Sequence, residues 1–118
     1  MDARQLKWLG TSYRDLCDMP ERVQRTFGYA LGLAQNGLTY ADAKTLKGFS
    51  PLVVEVLADD DGDTYRTLYT ARYEGVVYVL HCFKKKSTSG RNLPKRDKVT
   101  LEARLAEAGR MQAGKKRS

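Results

Sequence analysis

With 118 residues, the chain has room for one domain with a modest hydrophobic core. Its composition, 42% hydrophobic and 30% charged residues, is typical of a soluble globular protein, and no apolar run is long enough to cross a bilayer. No signal-peptide hydrophobic region follows Met1, so a cytoplasmic location without membrane contact is expected.

The net charge of +7 is unevenly distributed. Residues 84–118 hold 12 Lys/Arg and 3 Asp/Glu, whereas residues 1–83 hold 9 Lys/Arg and 11 Asp/Glu. A cationic segment of this kind favours a polyanionic partner such as RNA, although a tail that only solubilises the chain would have the same composition.

Metal and cofactor chemistry is not expected. Cys17 and Cys82 are far apart, and His81 is the single histidine, which argues against a structural zinc site. The acidic segment Asp59–Asp63 does not fit an EF-hand loop, because an alignment on its glycine puts leucines at ligand positions, and a solvated turn is expected.

The N-terminal part of the chain predicts a short strand followed by helices. Arg4–Leu9 is a candidate strand, and Ser12–Leu16 a helical turn. Asp18 is a candidate N-cap and Pro20 lies in the first turn of the helix that follows. Residues at helical spacing form one apolar face of that helix: Val23, Phe27, Ala30, Leu31 and Ala34.

The middle of the chain predicts three strands. Lys44–Ser50 is expected to be a polar connection, and the valines of Leu52–Leu57 indicate a strand. Thr64–Tyr73 and Val76–Lys85 are predicted to form a hairpin around Glu74-Gly75, the second strand being buried on both faces.

The register of this hairpin brings chemical groups together. A two-residue loop would place Arg66 opposite Phe83 and Leu68 opposite His81. Because side chains alternate between the faces of a strand, Arg66, His81, Phe83 and Lys85 would then share one face. A guanidinium, an imidazole and an ammonium beside an aromatic ring form a set of groups suited to phosphate chemistry.

The C-terminal part predicts one helix, Pro94–Met111, after a loop over Thr88–Pro94. Its expected apolar positions are Val99, Leu101 and Leu105. Residues 1–112 would form a single domain, and the basic tail 113–118 is expected to be disordered. The element order β-α-α-β-β-β-α predicts an α+β fold with a small antiparallel sheet packed against N-terminal helices and a C-terminal helix.

The sequence from about residue 40 to 105 resembles the RelE/ParE toxin superfamily, in particular its HigB-like, phage-protein-related branch. The matching residues are Lys47-Gly48, Glu55, Gly62 through Arg66 with Tyr69, and Val79 through Phe83 followed by the Lys84-Lys85-Lys86-Ser87 run. The resemblance implies a RelE-like fold and an endoribonuclease that cleaves mRNA, often on the ribosome. It also implies a co-expressed antitoxin, commonly a helix-turn-helix protein.

Site residues follow from the same resemblance. Arg66 matches the arginine that contacts the scissile phosphate, Lys85 lies near a second basic catalytic position, and His81 matches a polar position of this branch. The RNA backbone would be held by further cations: Lys47, Lys84, Lys86 and Arg91. The interpretation that these residues favour is a metal-independent endoribonuclease.

Two other functions fit the same residues. ParE-like members of the superfamily inhibit DNA gyrase, and a module that binds RNA or a partner without chemistry is also compatible with the sequence. At the residue level, Arg66 has the alternative of an ion pair with Glu55 or with a turn aspartate, and His81 that of a hydrogen-bonded structural residue. The lysine run has the alternative of protecting a sheet edge.

Overall fold

The structure is a computed structural model that describes residues 3–85 and 93–116. The elements are β1 (Gln5–Trp8), α1 (Ser12–Cys17), α2 (Glu21–Gln35), β2 (Lys44–Leu46), β3 (Val53–Asp60), β4 (Asp63–Thr70), β5 (Val76–Lys85) and α3 (Lys95–Lys116). Within the described residues, no helix combines the length and the apolarity needed to span a membrane.

The strands form a five-stranded sheet in the order β1-β5-β4-β3-β2. The predicted antiparallel pairing holds for β3, β4 and β5, and β2, which was not predicted to be a strand, pairs antiparallel with β3. Strand β1 differs, because it pairs in parallel with β5 and makes the sheet mixed. A parallel neighbour needs a long connection, and here the chain passes through both N-terminal helices and three strands before reaching β5. The α+β class is confirmed.

Helices cover both faces of the sheet. The predicted apolar face of α2 is buried against one face, although α2 begins at Glu21, and Asp18 is the C-cap of α1 and not an N-cap of α2. Helix α3 packs on the other face through Leu101 and Leu105. Val99 was expected in that core but is 58% exposed, because α3 turns it towards solvent.

Several predicted bounds were wrong, among them the end of β3, which was expected at Leu57 and lies at Asp60. The polar connection after residue 43 contains strand β2, because Leu46 pairs with Val53 and packs into the core beneath α3. Strand β4 ends at Thr70 and not at Tyr73. Helix α3 continues to Lys116, so the expected disordered tail is helical over 113–116, a segment that includes the helix formers Ala and Lys.

The β4–β5 hairpin has the predicted register only at its open end. Arg66 pairs with Phe83 and Leu68 with His81, as predicted. Between Leu68 and Tyr69 the register shifts by one residue: Leu68 pairs with His81 but Tyr69 pairs with Val79, so Leu80 is left out of the pairing. The turn is therefore longer than the predicted two residues. This bulge places Leu80 and His81 on the same face, where Leu80 joins the core beneath α3 and His81 contacts α3.

Candidate functional site

A cleft of about 630 Å³ opens where α1, the end of β5 and the start of α3 meet. We call it the α1–α3 cleft. Its charged residues are divided between two walls: Asp15 and Asp18 lie on the α1 side, and Lys84, Arg96, Asp97 and Arg104 lie on the β5 and α3 side, together with His81. The cleft therefore offers cations and an imidazole along one wall.

His81 lies at the base of this wall and is only 8% exposed. Its Nε2–H donates to Oδ1 of Asp97 at 2.9 Å, and Nδ1 accepts from Nη1 of Arg104 at 3.3 Å. These bonds define the neutral Nε2–H tautomer. The ring also stacks on Phe83, with centroids 4.5 Å apart.

The pKa of His81 lies below its usual range. Burial is the main cause, and the charge of Arg104 acts in the same direction. Asp97 and, more weakly, Asp15 oppose this by favouring the charged form. His81 is therefore a neutral imidazole held between a carboxylate and a guanidinium.

Arg104 ties α3 to β5 and to the turn after β1. Its Nη1 donates to the carbonyl oxygen of Leu80 at 2.9 Å, and its Nη2 donates to Oγ1 of Thr11 at 3.4 Å. The guanidinium lies against Gly10, where a Cβ would be 2.5 Å from Nε. Gly10 also has a φ of +54°, which favours glycine, and a Cβ at this position would require the end of the Arg104 side chain to move.

Arg66 is on the same sheet face as His81, as predicted, but it is buried. Its side chain is 2% exposed, and its Nε lies 2.7 Å from Oε2 of Glu55, itself 7% exposed. The pair is close in distance yet not aligned as a hydrogen bond, and Nη1 has no hydrogen-bond partner among the described residues. The guanidinium carbon lies 5.8 Å from the ring centroid of Phe83. The ion pair with Glu55, raised as an alternative from the sequence, is present.

The predicted lysines are separated by the fold. Lys84 lines the cleft and is ion-paired with Asp63 at 3.1 Å, and Lys85 is half-buried opposite Thr64. Lys47 is exposed just after β2. Leu46 of β2 pairs with Val53, which places Lys47 at the end of the sheet opposite Lys84. The β3 residue in line with Lys84 is Ala58. It lies about 17 Å along the strand from Val53, which is the measure of the separation between the two lysines. Lys86 and Arg91 lie outside the described residues.

The two cysteines differ in chemistry. Cys17 is free and exposed, whereas Cys82 is buried and lies 3.0 Å from the hydroxyl of Thr67. Burial raises the pKa of the Cys82 thiol to about 12, so it stays protonated at neutral pH. Within residues 3–85 and 93–116, no three His, Cys, Asp or Glu side chains come together as a candidate metal site.

Asp97 and Arg104 were missed by sequence reasoning, which assigned only apolar positions to this helix. A signal was present: residues seven apart lie two turns apart on one face, and the aspartate and arginine flank Leu101 on that face. What the sequence did not contain was the contact with His81, which depends on the bulge in β5 and on where α3 docks.

These features define a small α+β protein with a cleft lined by charged side chains, in which a carboxylate and an arginine hold a buried histidine. The chain belongs to the phage derived protein Gp49-like (DUF891) family, whose model matches residues 14–106. This family is associated with RelE/HigB-like toxins, and membership is consistent with a toxin of a toxin–antitoxin system. No curated protein and no solved structure matches the chain significantly.

Proposed function

We propose that this protein is the toxin of a type II toxin–antitoxin pair and that it arrests translation by cleaving mRNA, on the ribosome, without a metal ion. The observation that carries the proposal is the α1–α3 cleft, where His81 lies beside the cations Lys84, Arg96 and Arg104. Membership of a family associated with RelE/HigB-like toxins supports it.

The chemistry needs no group beyond the RNA and these side chains. The 2′-OH of the substrate attacks the adjacent phosphate, giving a 2′,3′-cyclic phosphate and a free 5′-OH. Imidazole is suited to carry the proton between these oxygens. The cleft cations hold the backbone and stabilise the charge of the pentavalent transition state. Lys85 contributes from the end of β5, next to Lys84.

Arg66 has a different role in this proposal from the one that the resemblance implies. At 2% exposure, and with Glu55 at 2.7 Å, its guanidinium offers little surface to a phosphate oxygen. We therefore assign the scissile phosphate to the cleft cations and propose that Arg66 holds Glu55 and packs against Phe83, the ring on which His81 stacks. The residue contributes through the structure of the sheet face and not through contact with RNA.

The partner that this function requires is an antitoxin, which we propose to be a co-encoded helix-turn-helix protein with an acidic segment. The excess of 12 Lys/Arg over 3 Asp/Glu in residues 84–118 favours a complementary negative surface. The toxin would act in the cytoplasm, where mRNA is translated. Affinity purification of the native operon products, followed by a salt titration, checks this: recovery of the toxin alone would count against an antitoxin.

The test of the function is a map of RNA ends after induction in a bacterial host, with His81→Asn as the inactive control. Discrete in-frame cuts within translated mRNA are expected, absent from the control. Purified protein on free RNA in excess EDTA separates the metal question from the ribosome's own need for magnesium. Loss of a free-RNA activity in EDTA, restored by one added metal, would overturn the metal-free chemistry. Intact transcripts with double-strand DNA breaks would support a gyrase inhibitor. The absence of both signals would support a non-catalytic binding module.

A further inference from the structure

Both ring nitrogens of His81 are occupied, so the proton carrier of the proposed reaction has no free lone pair. Nε2–H is held by Asp97 at 2.9 Å, and the lone pair of Nδ1 accepts from Arg104 at 3.3 Å. The second bond is the weaker one, since N–H donors in proteins most often lie about 2.9–3.0 Å from their acceptors. If His81 is to take a proton from RNA, Arg104 must release Nδ1.

The other contacts of Arg104 allow this release. Its strongest bond, 2.9 Å to the carbonyl oxygen of Leu80, anchors the guanidinium to β5, whereas the bond to Thr11 is long at 3.4 Å. Arg104 is also one of the residues that line the α1–α3 cleft. A phosphate oxygen in the cleft is a better acceptor for it than a neutral imidazole or a hydroxyl, because the bond is then charge-assisted on both sides.

We infer that Arg104 is a phosphate-responsive positioning residue that withholds His81 from proton transfer until a phosphodiester enters the cleft. This inference rests on the proposed function. When the phosphodiester takes the donors of Arg104, Nδ1 accepts the proton of the 2′-OH while the 2′-oxygen forms its bond to phosphorus. The resulting imidazolium donates through Nε2–H to Asp97 and returns the Nδ1 proton to the 5′-oxygen as the P–O5′ bond breaks. Histidine is neutral again at the end.

The charges around His81 fit this sequence. The groups that face the ring are Asp97 and Arg104 from α3 and Asp15 from α1, with Phe83 stacked from its own strand. In the resting state, burial and the cation of Arg104 lower the pKa of His81. A bound phosphodiester offsets that cation, so the pKa should rise when the cleft is occupied.

The first experiment measures the pKa of His81 directly. Because the chain has one histidine, its imidazole C–H signal in a proton NMR spectrum is unambiguous. The probe is a deoxydinucleotide, whose single phosphodiester keeps its charge over the titrated range and, lacking a 2′-OH, is not cleaved. We expect the pKa of His81 to rise on its addition at constant ionic strength. If the titration is unchanged, the inference is wrong, whether the probe binds elsewhere or not at all.

The second experiment uses Arg104→Gln, which removes the cation and keeps a polar amide on the side chain. Arg110→Gln, an exposed arginine further along α3, is the matched control. In the free Arg104→Gln variant the pKa of His81 should already be raised, and the dinucleotide should no longer change it. On RNA, kcat/KM should fall about 10- to 100-fold, the loss of one hydrogen bond to a charged group. The acidic limb of its pH profile should move to higher pH.

If the role of Arg104 is purely structural, Arg104→Gln should lower stability. The change in the pKa of His81 on addition of the dinucleotide should then be the same in Arg104→Gln as in Arg110→Gln. That result would overturn the inference. If Arg104→Gln does not fold, the NMR titration of the wild-type protein still tests the inference, because it needs no substitution. If the pKa responds to the dinucleotide but no RNA is cut under any condition, the proposed function fails and the phosphate response stands.

Discussion

Replacing Arg66 by alanine tests whether this residue supports the fold or contacts the substrate. The change removes the cation of a buried pair in which Nε lies 2.7 Å from Oε2 of Glu55, with both side chains at most 7% exposed. It leaves a carboxylate buried without a counter-charge, which typically costs about 3–5 kcal/mol. Since domains of this size unfold with a total of about 5–15 kcal/mol, the loss should be large.

The assay is urea unfolding followed by circular dichroism, with Arg72→Ala as the control. Arg72 is an exposed arginine in the β4–β5 connection, and its removal should change stability by less than about 0.5 kcal/mol. The double variant Arg66→Met/Glu55→Leu removes both charges and fills their space. Its stability should return close to wild type or exceed it, because a buried ion pair is often no more stabilising than well-packed apolar residues.

The double variant also decides the role of Arg66 in RNA cleavage. If Arg66 acts through the fold, the restored protein should cleave RNA at close to the wild-type rate. A residue that stabilises the transition-state charge would instead leave the double variant about 100- to 1000-fold slower, whatever its stability. Wild-type stability in Arg66→Ala, together with an inactive double variant, would refute the structural role and restore the phosphate contact that the resemblance implies.

Three further predictions concern other groups. Gly10→Ala should destabilise the protein more than Gly48→Ala in urea unfolding. Both residues have positive φ, a strain of about 1–2 kcal/mol for alanine, but only at Gly10 would the Cβ meet a guanidinium, at 2.5 Å. An equal loss of stability in the two variants would show that the contact with the guanidinium costs no free energy. Because folding lowers the pKa of His81, the unfolded chain binds more protons at acid pH. Stability should therefore fall as the pH drops below about 6.5, the ordinary pKa of histidine, and a pH series should show a shallower fall for His81→Asn; identical slopes would contradict this. Native protein should react with a thiol reagent at Cys17 only and in urea also at Cys82, whose pKa is raised to about 12; rapid native labelling of both would count against a buried thiol.

Local patterns in the sequence were enough to predict most elements of this fold, although not strand β2. The apolar face of α2 repeats at helical spacing, and Val76–Lys85 begins with an almost continuous apolar run, so both were predicted with their type and nearly their bounds. These two patterns depend on neighbours in sequence, and a single sequence contains that information. The pairing of Arg66 with Phe83 is different: it was predicted from a two-residue loop, and it holds because the bulge at Leu80 offsets the longer turn.

The composition of the candidate site depended on tertiary structure. One bulge at Leu80 turns His81 towards α3, and the docking of α3 then brings Asp97 and Arg104 to its two nitrogens from 16 and 23 residues away. The pairing of β2 with β3 places Lys47 away from the cleft, and sheet packing buries Arg66 against Glu55. The sequence could supply the guanidinium, imidazole and carboxylate groups and even their strand faces. Which of them meet, and which are removed from solvent, is decided by helix–sheet packing, because contacts between distant segments have no periodicity along the chain.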